Sequence, residues 1–223
     1  MRHLPADLAT IFGDVQTARL VLRHLQETDG SAFFAVDGDP ATHRYTPTGP
    51  APDLANSEQR LRGWLEHWKQ EGYGYWAVIL PQTEQVLGFG GVIHEVWRDR
   101  DVLNLYYRFT PSVWGQGYAT ELAQTAVALA QEHLPPWPVI ARTRPGNIAS
   151  MRTAERAGLC RRLILILSIS FLPSTGLLKR CLHRLREVEH MSNFFDLIDN
   201  PKPERNELFL KYKLPYWHYY LNV

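Results

Sequence analysis

The 223-residue chain is 45% apolar and 12% aromatic, enough to bury one good core and too little for a second full domain. Its formal net charge of +1 argues against a broad basic surface for nucleic acid or acidic lipid. Cys160 and Cys181 fit neither a paired metal-ligand spacing nor a disulfide framework, Met1 to Asp7 lacks the apolar run of a signal peptide, and Leu163 to Leu172 is about half a membrane span, so a cytoplasmic protein is expected, without metal, nucleic acid or membrane partner.

Arg19 to Arg23 alternates charged and apolar residues, the mark of a half-buried strand, and Glu27 to Asp37 follows as a short helix. Prolines at 40, 47, 50 and 52 make 39–53 a loop. Asn56 or Ser57 is expected to cap the next helix, which has Leu61, Trp64, Leu65 and Trp68 on its apolar face and Gly72 as its stop. Tyr75 to Leu80, Val86 to Ile93 and Val102 to Phe109 read as an antiparallel meander, broken at Pro81 to Glu84 and at Arg98 to Asp101.

Thr110 to Thr120 is the most informative stretch. A strand ending in Thr-Pro passes through Gly115 and Gly117 directly into a helix marked by Leu122, Ala126, Leu129, Ala130 and His133 and closed by Pro135-Pro136. The first turn of a helix offers unpaired N–H groups and the positive end of its dipole, and glycines let a phosphate approach them. Gln116, Gly117, Tyr118, Ala119 and Thr120 are therefore expected to hold a pyrophosphate, against the simpler reading of a turn into a helix. Val139 to Thr143 supplies a further strand, and Pro145-Gly146-Asn147 opens a helix to Ala157 that Gly158 stops.

Composition changes after Arg162: alanine disappears, and four of the chain's lysines, Lys179, Lys202, Lys211 and Lys213, follow the break, with Lys69 alone before it. The chain thus divides into a domain over 12–162 and a divergent tail over 163–223. Leu163 to Phe171 and Glu207 to Lys213 are candidate strands, with an amphipathic helix at Lys179 to His190 between them. Whether the tail completes the sheet stays open.

Four blocks in order resemble the GNAT superfamily of acetyl-CoA-dependent N-acetyltransferases, in particular its RimJ/RimL-like branch. They are Thr17 to Arg23, Trp76-Ala-Val into Leu87-Gly-Phe-Gly-Gly91, Tyr107 to Glu121, and Asn147 to Leu159. The resemblance implies an α/β (α+β) fold, with a mixed, largely antiparallel twisted sheet flanked by helices and a V-shaped splay between the fourth and fifth strands, those ending at Phe109 and spanning Val139 to Thr143. It implies acetyl-CoA as co-substrate, its pantetheine amides paired with main-chain groups of Arg108, Phe109 and Thr110, its pyrophosphate on the amides of 116–120, and a contact from Asn147.

Acetyl transfer to an amine needs a neutral nucleophile, a donor for the developing oxyanion and a proton for the departing thiolate. By the same resemblance, a main-chain N–H near Tyr107 or Arg108 polarises the thioester, and the Ser150 hydroxyl protonates the sulfur. Relatives often carry a glutamate where Asn104 stands, so the general base is unassigned, with Glu95, His94 or a water relay as substitutes. Trp64, Trp68, Trp76 and Trp97 read first as core and second as an aromatic pocket. The implied acceptor is a primary amine, on a protein N-terminus or a small molecule. The alternative is a non-catalytic acyl-CoA-binding or decayed protein with a replaced C-terminus.

Overall fold

In the computed structural model, which describes residues 8–97, 100–144, 146–162 and 217–221, a short helix α1 (Leu8–Ile11) leads into β1 (Val15–Gln16) and β2 (Val21–His24). The strand expected at 19–23 therefore lies slightly later and has a small antiparallel partner before it. The expected helix at 27–37 begins as a 3-10 turn, Glu27–Asp29, and becomes α-helical only as α2 (Gly30–Asp37). The loop over 39–53 contains a 3-10 turn, Pro40–His43, capped by the Asp39 side chain, with His43 buried.

Helix α3 (Leu54–Glu71) corrects the expected cap: it starts earlier, because Asp53 Oδ1 accepts from the Asn56 N–H at 2.8 Å. Ser57, the other expected cap, is instead buried, and its hydroxyl bonds Asp37. Gly72 ends the helix with φ 75°, as expected. Trp68 and Trp76 are core residues whose indole N–H groups donate to the carbonyls of Tyr75 and Phe12.

Strands β3 (Tyr75–Leu80), β4 (Gln85–Trp97) and β5 (Arg100–Phe109) form the expected meander, with a longer second hairpin that pairs as far as Trp97 and Arg100. A 3-10 turn at Pro111–Val113 precedes α4 (Tyr118–His133). Beyond it come β6 (Val139–Thr143), α5 (Ile148–Arg156), β7 (Cys160–Arg162) and β8 (Trp217–Leu221). The eight strands order as β1-β2-β3-β4-β5-β6-β8-β7, and every pairing is antiparallel except β5 with β6. The tail elements expected at 163–171, 179–190 and 207–213 lie outside the described residues. The strand from this region that the structure does describe, β8, was not anticipated.

Adjacent residues of β4 face opposite layers, as strand geometry requires. Phe89 meets Phe33 of α2 with ring centroids 4.9 Å apart, which sets α2 and α3 on one face. Gly90 faces α4 so closely that a β-carbon there would stand 2.5 Å from a Leu122 methyl, so only glycine lets the helix settle on the sheet.

Candidate functional site

The parallel contact between β5 and β6 is brief. It pairs Leu103 with Val139 and Asn104 with Ile140, after which β5 stays with β4 while β6 continues along β8. The two strands therefore diverge into the expected V, with residues 105–109 on one arm and 141–143 on the other.

Hydrogen-bond direction sorts the main chain of β5. The Leu103 N–H donates across to Pro138 on the β6 side, at 3.0 Å, whereas the Thr110 N–H donates back to Leu87, at 2.9 Å. The register between these points is unbroken, so Leu105, Tyr107 and Phe109 direct their main-chain groups toward the fork and Arg108 toward β4. Of the three residues read as pantetheine partners, Phe109 faces the fork, while Arg108 and Thr110 turn away. Phe109's carbonyl accepts from the indole N–H of Trp114 at 2.8 Å.

At the mouth of the fork, Gly117 caps α4 with φ 84°, a left-handed conformation that suits glycine. Thr120 and Glu121 donate to the Gly117 carbonyl. Among the described residues, nothing accepts from the amides of Gln116, Gly117, Tyr118 or Ala119, so these groups line up at the positive end of a 16-residue helix.

Sequence reasoning missed what holds this corner. The Glu121 carboxylate accepts from the Thr17 hydroxyl at 2.6 Å, from the Arg19 main chain at 2.8 Å and from Arg19 Nε at 2.7 Å. The same guanidinium reaches the Gln116 carbonyl at 2.9 Å and lies 4.7 Å from the Tyr118 ring centre. Burial pushes the Glu121 carboxyl up, but the bonds from Thr17 and Arg19 outweigh it and hold the acid below its usual range. Both residues stand inside the motif blocks, yet 102 positions separate them, and nothing in a single sequence announces their pairing.

Asn147 caps α5 through its side-chain oxygen, which accepts from the Ser150 N–H at 3.1 Å. Across the fork, the Tyr107 hydroxyl donates to the Ser150 carbonyl at 2.9 Å and lies 3.1 Å from Ser150 Oγ. The structure thus joins Ser150 to β5 through a tyrosine that sequence reading had considered only for its main chain.

The opposite face of β5 is built from side chains. Asn104 Nδ2 donates to the Tyr75 hydroxyl at 2.8 Å, and Tyr75 and Trp64 pack on Tyr106 at ring distances of 5.1 and 5.3 Å. Trp64 is therefore the tryptophan that lines this face. Burial raises both tyrosine hydroxyls above their ordinary range, so they act here as neutral hydrogen-bonding groups. Neither substitute base is unengaged: Glu95 accepts from Arg142 at 2.8 Å, and His94 pairs with Asp101 at 2.6 Å. The segment 42–46 spans the opening. Arg108 donates to the Thr42 and Thr46 hydroxyls, and Tyr45 Cε1 stands 3.3 Å from where a β-carbon at Gly146 would lie.

A family model for the acetyltransferase (GNAT) domain matches residues 19–159, more than half of the chain. The chain belongs to this family. The YkkB protein of Bacillus subtilis (strain 168) is similar to the GNAT chain at 28% identity over 149 residues, covering 64% of this chain and 83% of that protein. Among solved structures, an acetyltransferase from Agrobacterium tumefaciens str. C58 superposes with a TM-score of 0.57 at 28% identity, covering 70% of this chain and 89% of that one. The fold also matches spermidine N-acetyltransferase from Vibrio cholerae in complex with CoA and spermine, with a TM-score of 0.56 at 17% identity over 67% of this chain and 85% of that one. The family assigns acetyl transfer as the activity of the domain. No helix among the described residues is long and apolar enough to cross a membrane.

Proposed function

We propose that the protein transfers an acetyl group from acetyl-CoA to a primary amine, on a protein N-terminus or a small molecule, by direct attack in a ternary complex. The observation that carries this reading is the fork between β5 and β6, opening beside the acceptor-less amides that lead α4. In this reading those amides, from Gln116 to Ala119, receive the pyrophosphate together with the first turn at Thr120. Phe109 and its fork-facing neighbours pair with pantetheine, while Arg108 and Thr110 shape the strand around it. Asn147 contacts the cofactor with the side-chain amide group that its capping oxygen leaves over.

The amine attacks the thioester carbon, and the Tyr107 N–H, which is directed at the fork, steadies the oxyanion. Collapse forms the amide and breaks the C–S bond. The Ser150 hydroxyl, held by Tyr107, then protonates the departing thiolate. The proton shed by nitrogen goes to solvent, since Asn104 cannot accept it, and solvent returns a proton to the Ser150 oxygen. An N-terminal α-amine, with a pKa of about 8, is partly neutral near pH 7, whereas a lysine near 10.4 needs a base.

Millimolar acetyl-CoA should raise the melting temperature by several degrees, and free CoA should appear when an amine is added. An unmoved melting temperature would remove the basis of the reading. Asn104, bonded to Tyr75 where a carboxylate base would serve, favours one rival: a non-catalytic acyl-CoA-binding protein, which would show the thermal shift without turnover.

A further inference from the structure

Arg108 carries a charge that the fold does not neutralise. Its guanidinium sits on the acceptor face of the fork, 5.7 Å from the Tyr106 ring centre, and touches only hydroxyls: Thr42 Oγ1 at 3.4 Å, Thr46 Oγ1 at 3.3 Å and the phenol of Tyr106. The carboxylates around it are otherwise engaged. Asp37 is bound by Arg60 at 2.5 Å and by Ser57 at 3.2 Å, with His43 Nε2 at 3.4 Å. Asp39 caps its own turn through the Ala41 N–H, and Glu95 is held by Arg142. Among the described residues, none forms an ion pair with Arg108.

The hydroxyls point the same way. Thr42 spends its proton on the Val36 carbonyl at 2.8 Å. Thr46 accepts from Arg108 and, among the described residues, has no acceptor for its own proton, so guanidinium and hydroxyl stand together as donors. Two donors without a counter-ion, on a half-buried strand beside the reacting centre, suit an anion. They are the reverse of what a polyamine requires, since Asp37, Asp39 and Glu95 already have an arginine or an amide.

We infer that Arg108 and Thr46 recognise a carboxylate or phosphate on the acceptor, so that the substrates are amines bearing a negative group a few bonds from the nucleophilic nitrogen. The inference rests on the transferase reading and deepens it. Position favours a short separation: Arg108 follows Tyr107, whose N–H faces the thioester in that reading, and neighbouring Cα atoms are about 3.8 Å apart.

The test is CoA release by the full chain with acceptors matched except for charge. Suitable pairs are a peptide with aspartate against asparagine at its second position, and an α-amino acid against its amide, each rate referred to the neutral-amine fraction, with spermidine alongside. The anionic member of each pair should be favoured about tenfold in kcat/KM, roughly 1.4 kcal/mol. Arg108→Gln should collapse that ratio to near one, and Arg108→Lys should keep part of it. Equal rates, a preference for spermidine, or a ratio that Arg108→Gln does not move would overturn the inference and leave the transferase standing. Because the wild-type ratio is measured first, the inference can fail even if the variant does not fold. If acetyl-CoA raises the melting temperature but no amine of any charge is acetylated, the transferase reading itself falls, and this inference with it.

Discussion

The two faces of β5 are made of different materials. Toward the fork and α4 the strand and its following turn present main chain: the edge of 105–109, the amides leading α4, and a glycine at φ 84°. Toward α2 and α3 it presents side chains, Asn104, Tyr106 and Arg108, met by Tyr75, Trp64 and Thr46 from three other elements. A main-chain site recognises a ligand by its amides and phosphates and tolerates sequence change, provided the backbone geometry is kept. A side-chain site is rewritten by any substitution. On this division the first face suits the constant partner of the reaction, and the second suits the partner that varies.

The sharpest way to break this contrast is to add one side chain to the main-chain face. Gly117→Val forces a β-branched residue into a left-handed conformation and crowds Arg19, whose guanidinium would lie 3.4 Å from the new β-carbon. The thermal shift by acetyl-CoA should vanish and turnover should fall by more than a hundredfold. A variant that still responds to the cofactor would show that these amides are not its seat.

Removing a side chain from the other face should have the opposite signature. Asn104→Ala leaves the buried Tyr75 hydroxyl without its donor and should cost about 1–3 kcal/mol of stability. Denaturant titration would measure that loss while the Kd for acetyl-CoA stays within about twofold; a large loss of cofactor affinity would erase the distinction between the faces.

Glu121→Gln probes a side-chain device on the main-chain side. The amide cannot match the carboxylate's bonds to Thr17 and Arg19, so the turn at Gln116 loosens. Because Arg19 is half exposed, the stability loss should be only about 1 kcal/mol, with the KM for acetyl-CoA raised several-fold. Cofactor titration of wild type and variant at matched temperature decides it.

The smallest effect concerns protons. His43 is held below the ordinary histidine value of 6.5, by burial first and then by Arg108, with Asp37 opposing; burial does the same to His24 and His67. A folded-state value below the unfolded one means that the unfolded chain binds the proton more readily. Stability is therefore fully present above about pH 6.5 and declines as pH falls below it. Melting temperatures recorded from pH 7.5 to 5 should decrease, and His43→Gln should flatten part of the slope. A constant melting temperature would contradict the burial of these rings as neutral groups.

The same contrast explains what a single sequence revealed. Backbone devices leave local marks, so Gly72 as a helix stop, Asn147 as a cap and the Gly117 corner were all legible. Other positions show the limit of local reading. Asp53, screened by neighbouring prolines, took the cap expected at Asn56 or Ser57, because a turn earlier its carboxylate could reach the Asn56 amide. The Glu121 clamp, the Tyr107–Ser150 contact and the donors around Arg108 join residues distant along the chain, and only the fold brings them together. β8 was within reach, since Trp-His-Tyr-Tyr-Leu is rich in strand-forming residues, but so short a run carries little periodic signal.

That final strand has a temporal consequence. β8 lies between β6 and β7, and among the described residues β7 has no other partner in the sheet. During synthesis Val139 to Thr143 emerges long before Trp217, so β6 must wait for its β8 partner until that strand has been made. A nascent chain is most open to chaperones and to mispairing with its siblings in that interval. A message truncated before codon 217 would turn the interval into a permanent state.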